Sequence, residues 1–495
     1  MENSVTHIVL DRPLTWQEIK AVAHGARLSL GSAAKERIMQ SRKIVDAIVS
    51  RNIRAYGVNT GVGALSDQIV PQHLQRALSR NLLMSHACGT GDWLSDIETR
   101  AIIAAAINNY AHGYSGIRLE VVEALLDLLE HNVMPLVPAR GSVGYLTHMA
   151  HIGLVLIGEG QARVAGNVLT GAAAQSHMGK AALVLEAKEG LSLVNGTPCA
   201  TGLAALALSK IENLLQWADR TGAMSFEALG GQIAAFDVFS LALRKSDGLQ
   251  LSGAHIRALL EGSGLIAEAQ GKRTQDALSL RAMPHVHGAA RDMFGFAADA
   301  VNRELASVTD NPLIGGTAEA PQVFSEAHAV GASLGLALDA VAIAIAEVAA
   351  MAERRIGRLV NPALSGLPAF LAQEGGVFSC FMIAQYSAAS LVAENRRLAN
   401  PASLDGGITS AQQEDHLAHA TPAALKLLQI CANTETIVAI EYMAAAQALE
   451  LQSGAAPMAK RTAALVQLLR KKVAPYADDT PLSAEIEKAR AVILE

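Results

Sequence analysis

The sequence predicts a mainly α protein, a long central helical bundle with a loop-rich N-terminal part. Hydrophobic residues make up 51% of the 495 positions but aromatics only 4%, so the interior must be built from Ala, Leu, Ile and Val, which favours closely packed helices. Apolar residues recur at helical spacing over long stretches that no internal proline interrupts. Strand signals are confined to short pieces such as His7 to Leu10 and Gln161 to Val164.

In chain order the helical stretches are Thr99 to His112, Leu119 to Leu129, Gly202 to Ala218, Ala327 to Ile356, Phe381 to Leu398 and Pro422 to Leu451. Glycine-rich breaks fall between them, at Gly57 to Gly63, Gly141 to Gly144, Gly230 to Gly231, Gly315 to Gly316 and Asp405 to Gly407. Helices of about thirty residues outrun the usual globular length, and bundles of that kind bury faces across subunits. Residues 1–200 are expected to form a region of active-site loops and helices, and residues 201–495 the long bundle, within one interwoven catalytic unit. The window Ala329 to Ala346 is long and apolar enough to suggest a membrane span. It carries Asp339, and Glu347 follows at once; a charge at bilayer depth is costly, so a buried bundle helix is expected.

Net charge is −6, and Lys and Arg are scattered without a basic stripe, which argues against a nucleic-acid partner. Cys88, Cys199, Cys380 and Cys431 lie far apart, without the paired spacing of a zinc site or disulfide framework. They read as free thiols, and no metal is expected. Met1 to Leu10 has no basic region followed by an apolar stretch, so a cytoplasmic protein with no membrane partner is expected.

The chemistry sits in the breaks. AYGVNTGVG, Ala55 to Gly63, sets one tyrosine in a loop with three glycines; such a loop can fold a phenol over a site and exclude water. SHACGTG follows at Ser85 to Gly91, VPARGSVG at Val137 to Gly144, LIGEG at Leu156 to Gly160 and VNGT at Val194 to Thr197. Then come QDALSLR at Gln275 to Arg281, TDNPL at Thr309 to Leu313 and QQEDH at Gln412 to His416. In this order they closely resemble the histidine, phenylalanine and tyrosine ammonia-lyases, over the stretch Tyr56 to His416.

That resemblance implies removal of the α-amino group and a β-proton from an aromatic amino acid, in a homotetramer whose subunits share active sites. It assigns Tyr56 as base on the β-proton, a role that needs a site favouring phenolate, for instance a nearby cation. It gives Arg281 the substrate carboxylate, a task suited to a bidentate guanidinium, and places Asn195 and Gln275 around the carboxylate and the amine. Glu414 faces the ring or amine, and His86, after Ser85, reads the distal edge of the ring. The Ser-His pair is polar where phenylalanine-preferring members are apolar, which argues for imidazole or phenol.

The sequence also departs from the pattern. The family makes its electrophile, methylideneimidazolone, by cyclising an internal Ala-Ser-Gly that should follow GSVG. Here Gly141 to Gly144 runs directly into Tyr145, Leu146 and Thr147, and Val143 after Ser142 makes that serine a poor substitute. Leu278 stands where a second tyrosine is usual, and Glu326-Ala327-His328 replaces an Asn-Phe-His segment. No cofactor is therefore expected. An amine leaves badly without an electrophile, whereas a trimethylammonium group departs as neutral trimethylamine. The expected reaction is elimination from an imidazole betaine, as ergothionase converts ergothioneine to thiourocanate. Tyr56, Tyr145 and Glu414 would be catalytic, with Glu326 complementing the cation. The alternatives are a histidine ammonia-lyase giving urocanate and ammonia, and a catalytically silent ligand-binding relative.

Overall fold

The computed structural model describes residues 6–404, 406–452 and 456–495; the first five residues and Asp405, the start of one expected break, lie outside them. The long periodic stretches are helices, Asp96–Ala111, Leu119–Glu130, Pro198–Ala228, Ala332–Val360, Met382–Leu398 and Ala420–Leu451. A capping box fixes the start of Asp96–Ala111: Ser95 accepts the Glu98 N–H, and the Glu98 carboxylate accepts the Ser95 N–H at 2.7 Å. The helix expected from Ala327 begins instead at Ala332, because Val330 N–H closes a turn on the Ala327 carbonyl first. Among the described residues, two helices of nineteen or more residues lack a counterpart among the expected stretches, Ser32–Ser50 and Met283–Leu305. The second carries Pro284 in its first turn, where the missing N–H costs no hydrogen bond.

Sheet is limited to small pairings. His7–Leu10 pairs in parallel with Arg27–Leu30, and Met134–Pro135, Gln161–Val164 and Asn167–Thr170 form a three-stranded antiparallel sheet. Leu313–Gly316 pairs with Pro321–Phe324.

The chain clusters into two compact units. The first comprises Met1–Ser209, Ala297–Asp339 and Pro401–Leu425, and the second Lys210–Phe296, Ala340–Asn400 and Lys426–Glu495. In the first, Ile44, Val45 and Ile48 of Ser32–Ser50 pack with Ala55, Val58 and Ile314, so the tyrosine loop is pinned on both sides of Tyr56. In the second, Arg355 and Glu441 form a fully buried ion pair. Glu441 also accepts the Thr221 and Ser225 hydroxyls at 2.8 and 2.7 Å, which satisfies a charge that burial would otherwise penalise.

Among the described residues three helical segments are long and apolar enough to cross a membrane, and Ala332–Val360, with 56% of its most apolar window buried, is one of them. Within it Asp339 accepts the Ala402 and Ser403 N–H groups at 3.1 and 2.9 Å, the partners a buried carboxylate requires.

Candidate active site

The Tyr56 loop is shaped by its own polar residues. Asn59 accepts the Ala55 N–H and donates to the Ile53 carbonyl, both at 2.8 Å, and Thr60 accepts the Gly57 N–H at 3.0 Å. Gly57 has φ +62°, and a Cβ there would run into Leu191, so glycine is required. The phenol is thereby turned to accept the Gly63 N–H at 3.2 Å.

Glu414 lies in the loop before helix Ala420–Leu451, where Thr409 and Glu414 form an isolated antiparallel bridge. The Tyr145 hydroxyl donates to Glu414 Oε2 at 2.7 Å. Burial first, then that hydrogen bond and the charge of Glu414, hold the Tyr145 phenol well above the usual tyrosine range. Tyr56 is raised too, by burial and by Glu414, with the Gly63 N–H opposing. Its charged neighbour in this unit is thus an anion rather than the cation a phenolate calls for. His86 ends helix Gln75–His86 with its Nδ1 3.0 Å from Ser85 Oγ. Burial pushes its pKa down, and the charge of Glu414 opposes this. Tyr56, His86 and Tyr145 therefore all feel the same carboxylate.

Tyr145 reaches Glu414 from a tight turn. The Ser142 hydroxyl accepts the Gly144 N–H at 3.1 Å and donates to the Tyr145 carbonyl at 2.9 Å, and Thr147 Oγ1 donates to the Gly141 carbonyl at 3.1 Å. Thr147 N–H closes on the Tyr145 carbonyl, with Leu146 between them at φ 73°, ψ −70°. That is a strained γ-turn on a residue with a side chain. Leu146 N–H also donates to the Val194 carbonyl at 2.9 Å.

Next to Val194, Asn195 caps the short helix Glu189–Val194. Its Nδ2 donates to Asp310 Oδ1 at 3.2 Å and to the Asn311 carbonyl, and its Oδ1 accepts the Gly196 N–H at 3.0 Å. Asp310 is also paired with Lys188 at 3.0 Å, both fully buried. Asn311 Oδ1 accepts the Glu326 N–H at 3.0 Å; Glu326 Oε2 pairs with His328, and its Oε1 is buried without a partner. Lys188 and Asp310, which motif reading did not single out, are thus joined to Asn195. Their only sequence signal was position, seven residues before Asn195 and inside TDNPL.

Gln275 and Arg281 belong to the second unit. With its carboxamide oxygen turned to the guanidinium, Gln275 accepts from Arg281 at 2.5 to 2.9 Å; the reverse orientation would face N–H against N–H. Arg281 Nε also lies 2.9 Å from the Asp276 carbonyl. Gln275 and Asp276 line a cavity of about 230 Å³ together with Arg273 and Arg358. Leu278 is exposed.

Residues 14–471 match the family described as aromatic amino acid lyase. A histidine ammonia-lyase of Symbiobacterium thermophilum is 44% identical over 97% of this chain and 95% of its own. One of Treponema denticola is 41% identical over 97% and 95%. A crystal structure of ergothionase, an ergothioneine-degrading enzyme also from Treponema denticola, superposes with a TM-score of 0.92 at 27% identity, over 99% of this chain and 98% of that one.

These similarities correct two expectations. The expected betaine elimination, ergothioneine to thiourocanate and trimethylamine, gives way, because nearly full-length similarity at 40 to 44% is to histidine ammonia-lyases and identity to the ergothionase is far lower. The expectation of no cofactor falls on the same finding, since methylideneimidazolone accompanies that activity in the family. One altered segment, Gly141 to Thr147, stands against similarity that runs over nearly the whole chain. The residues now at Gly141 to Thr147 do not themselves fit that group: Tyr145 and Leu146 occupy the γ-turn, and Ala-Ser-Gly occurs nowhere in the sequence.

Proposed function

Since the chain belongs to the aromatic amino acid lyase family and is a carbon-nitrogen lyase with a small-molecule substrate, we propose that it eliminates ammonia from histidine to give urocanate. The observation that carries this reading is the Tyr145 hydroxyl donating to the Glu414 carboxylate at 2.7 Å, a carboxylate whose charge also reaches Tyr56 and His86. A polar imidazole reader beside an acidic side chain suits an imidazole ring and suits a phenyl ring poorly.

In this reading Tyr56, as its phenolate, takes the β-proton, and the departing ammonia carries that proton away as ammonium, which restores the phenolate. The Cβ–H electron pair becomes the new double bond, and the Cα–N pair leaves with nitrogen as ammonia. The buried phenol next to an anion holds its own proton tightly, so the substrate ammonium supplies the offsetting positive charge when it binds. Glu414, fixed by Tyr145, receives the imidazole N–H or the ammonium, and His86 meets the far edge of the ring. Asn195 contacts the substrate backbone, and Glu326 adds negative charge on the amine side. On the family resemblance Gln275 and Arg281 grip the carboxylate, in a homotetramer whose subunits share active sites. The enzyme serves histidine breakdown in the cytoplasm.

The test is incubation of purified protein separately with histidine, hercynine and ergothioneine, following ultraviolet absorbance and released amine. Urocanate and ammonia from histidine alone are expected. Failure to turn over histidine overturns the assignment.

A further inference from the structure

Asn195 has an orientation that its surroundings dictate. A carboxamide has two N–H donors and one oxygen. Both Asp310 Oδ1 and the Asn311 carbonyl face it on the protein side, and both are acceptors only. A flipped amide would set oxygen against two oxygens, so the NH₂ group is consumed inside and the oxygen is turned the other way. That oxygen takes one N–H, from Gly196, and keeps a second lone pair open.

The orientation is enforced from behind. Asp310 is fully buried and shares Lys188, whose Nζ donates to Asp310 Oδ2 and to Ser192 Oγ, each at 3.0 Å. Ser192 in turn donates to the Ser115 carbonyl at 2.9 Å, and Asn311 N–H donates to Asp310 Oδ1 at 2.7 Å. The carboxylate is held on both oxygens and cannot rotate away from Asn195. A buried pair of this kind is a weak source of net stability and well suited to specifying one geometry.

We propose that Asp310, held by Lys188, is a positioning residue that locks Asn195 as a hydrogen-bond acceptor, so that Asn195 reads the amino nitrogen of the substrate and not its carboxylate. This rests on the histidine reading above, and it separates two ligand groups that the family resemblance left together around Asn195. An acceptor oxygen attracts an ammonium and repels a carboxylate, so the fixed amide also sets which way round the amino acid lies.

Two competitive inhibitors isolate the contacts: histamine, which has the amine without the carboxylate, and imidazolepropionate, which has the carboxylate without the amine. In Asn195→Ala the inhibition constant of histamine is expected to rise roughly tenfold, the loss of one hydrogen bond to a charged group, while that of imidazolepropionate stays unchanged. The double variant Lys188→Met/Asp310→Leu should reproduce the same split, because both buried charges go together and neither is left unpaired. Asp310→Asn, which keeps the shape, is the second probe and should show the split in weaker form. Equal weakening of both inhibitors, or weakening of imidazolepropionate alone, overturns the proposal. Lower thermal stability in both Asp310 variants without a split makes Asp310 purely structural and also overturns it. Wild-type protein that binds neither inhibitor refutes the histidine reading itself, and this inference with it.

Discussion

Replacing Tyr145 by phenylalanine removes one oxygen and keeps the ring, so no cavity opens and the effect isolates a hydrogen bond. That bond is 2.7 Å long and ends on the Glu414 carboxylate. Hydrogen bonds to charged groups contribute about 1.5–3 kcal/mol. Both residues are half-buried, so water competes and the lower figure applies, about 1.5 kcal/mol, which corresponds to roughly a tenfold loss. We expect kcat/KM for histidine to fall by about that factor, measured from initial rates of urocanate formation by ultraviolet absorbance. A second readout is alkaline stability. The Tyr145 pKa is raised in the folded chain by burial and Glu414, so its stabilising contribution is complete below the ordinary tyrosine value near 10 and declines as pH rises above it. Tyr145→Phe should therefore lose less stability than wild type above about pH 10. Unchanged kcat/KM in a folded variant would refute the view that Tyr145 holds Glu414 for catalysis.

Tyr56→Phe should abolish histidine turnover while leaving the thermal midpoint within a few degrees, because the phenol accepts only the Gly63 N–H; retained turnover removes Tyr56 as base. Acid sensitivity is expected from His151, whose pKa is lowered to about 4 by burial and by His148. A lowered histidine contributes stability above its ordinary value near 6.5 and loses it as pH falls towards about 4, since protonated Nε2 can no longer accept the Gly89 N–H. His151→Gln, whose carbonyl accepts without titrating, should flatten the stability profile across that window in chemical denaturation; an unchanged profile dismisses His151. Ser142→Ala releases two of the hydrogen bonds that shape the turn under Tyr145. It should lower kcat/KM severalfold, and combined with Tyr145→Phe it should cost less than the sum of the two. Full additivity would mean that the turn and the phenol act independently.

The helices were legible wherever one pattern ran unbroken. Ala420–Leu451 and Met382–Leu398 end where the apolar spacing ends. Met283–Leu305 was not legible, because Pro284 and the mixed His, Gly and Arg content hide a helix whose proline sits harmlessly in the first turn. Ala327 looked helical by spacing alone, yet the polar Glu326 and His328 pair with each other and turn the backbone there. Among the candidate site residues, Tyr56, His86 and Glu414 were legible because each lies in a motif that carries the family resemblance. Lys188 could not, since its partner Asp310 lies 122 residues away and a lone lysine ahead of a helix ordinarily reads as a solvated one.

Tyr145 shows where sequence reading and structure part company. In sequence it marks an interruption, and an interruption invites the inference that function changed with it. In the structure the same residue sits in a turn tied to the remaining site on three sides. Its carbonyl takes the Ser142 hydroxyl, its hydroxyl reaches Glu414, and the next N–H donates to the Val194 carbonyl beside Asn195. The strain at Leu146, a side-chain-bearing residue at φ 73°, persists because these bonds over-determine the turn. The base loop and the Glu414 loop meet as well, through Ser410 Oγ accepting the Ala64 N–H at 3.3 Å. The altered segment is therefore built into the candidate site by hydrogen bonds on three sides, and does not stand apart from it as a gap.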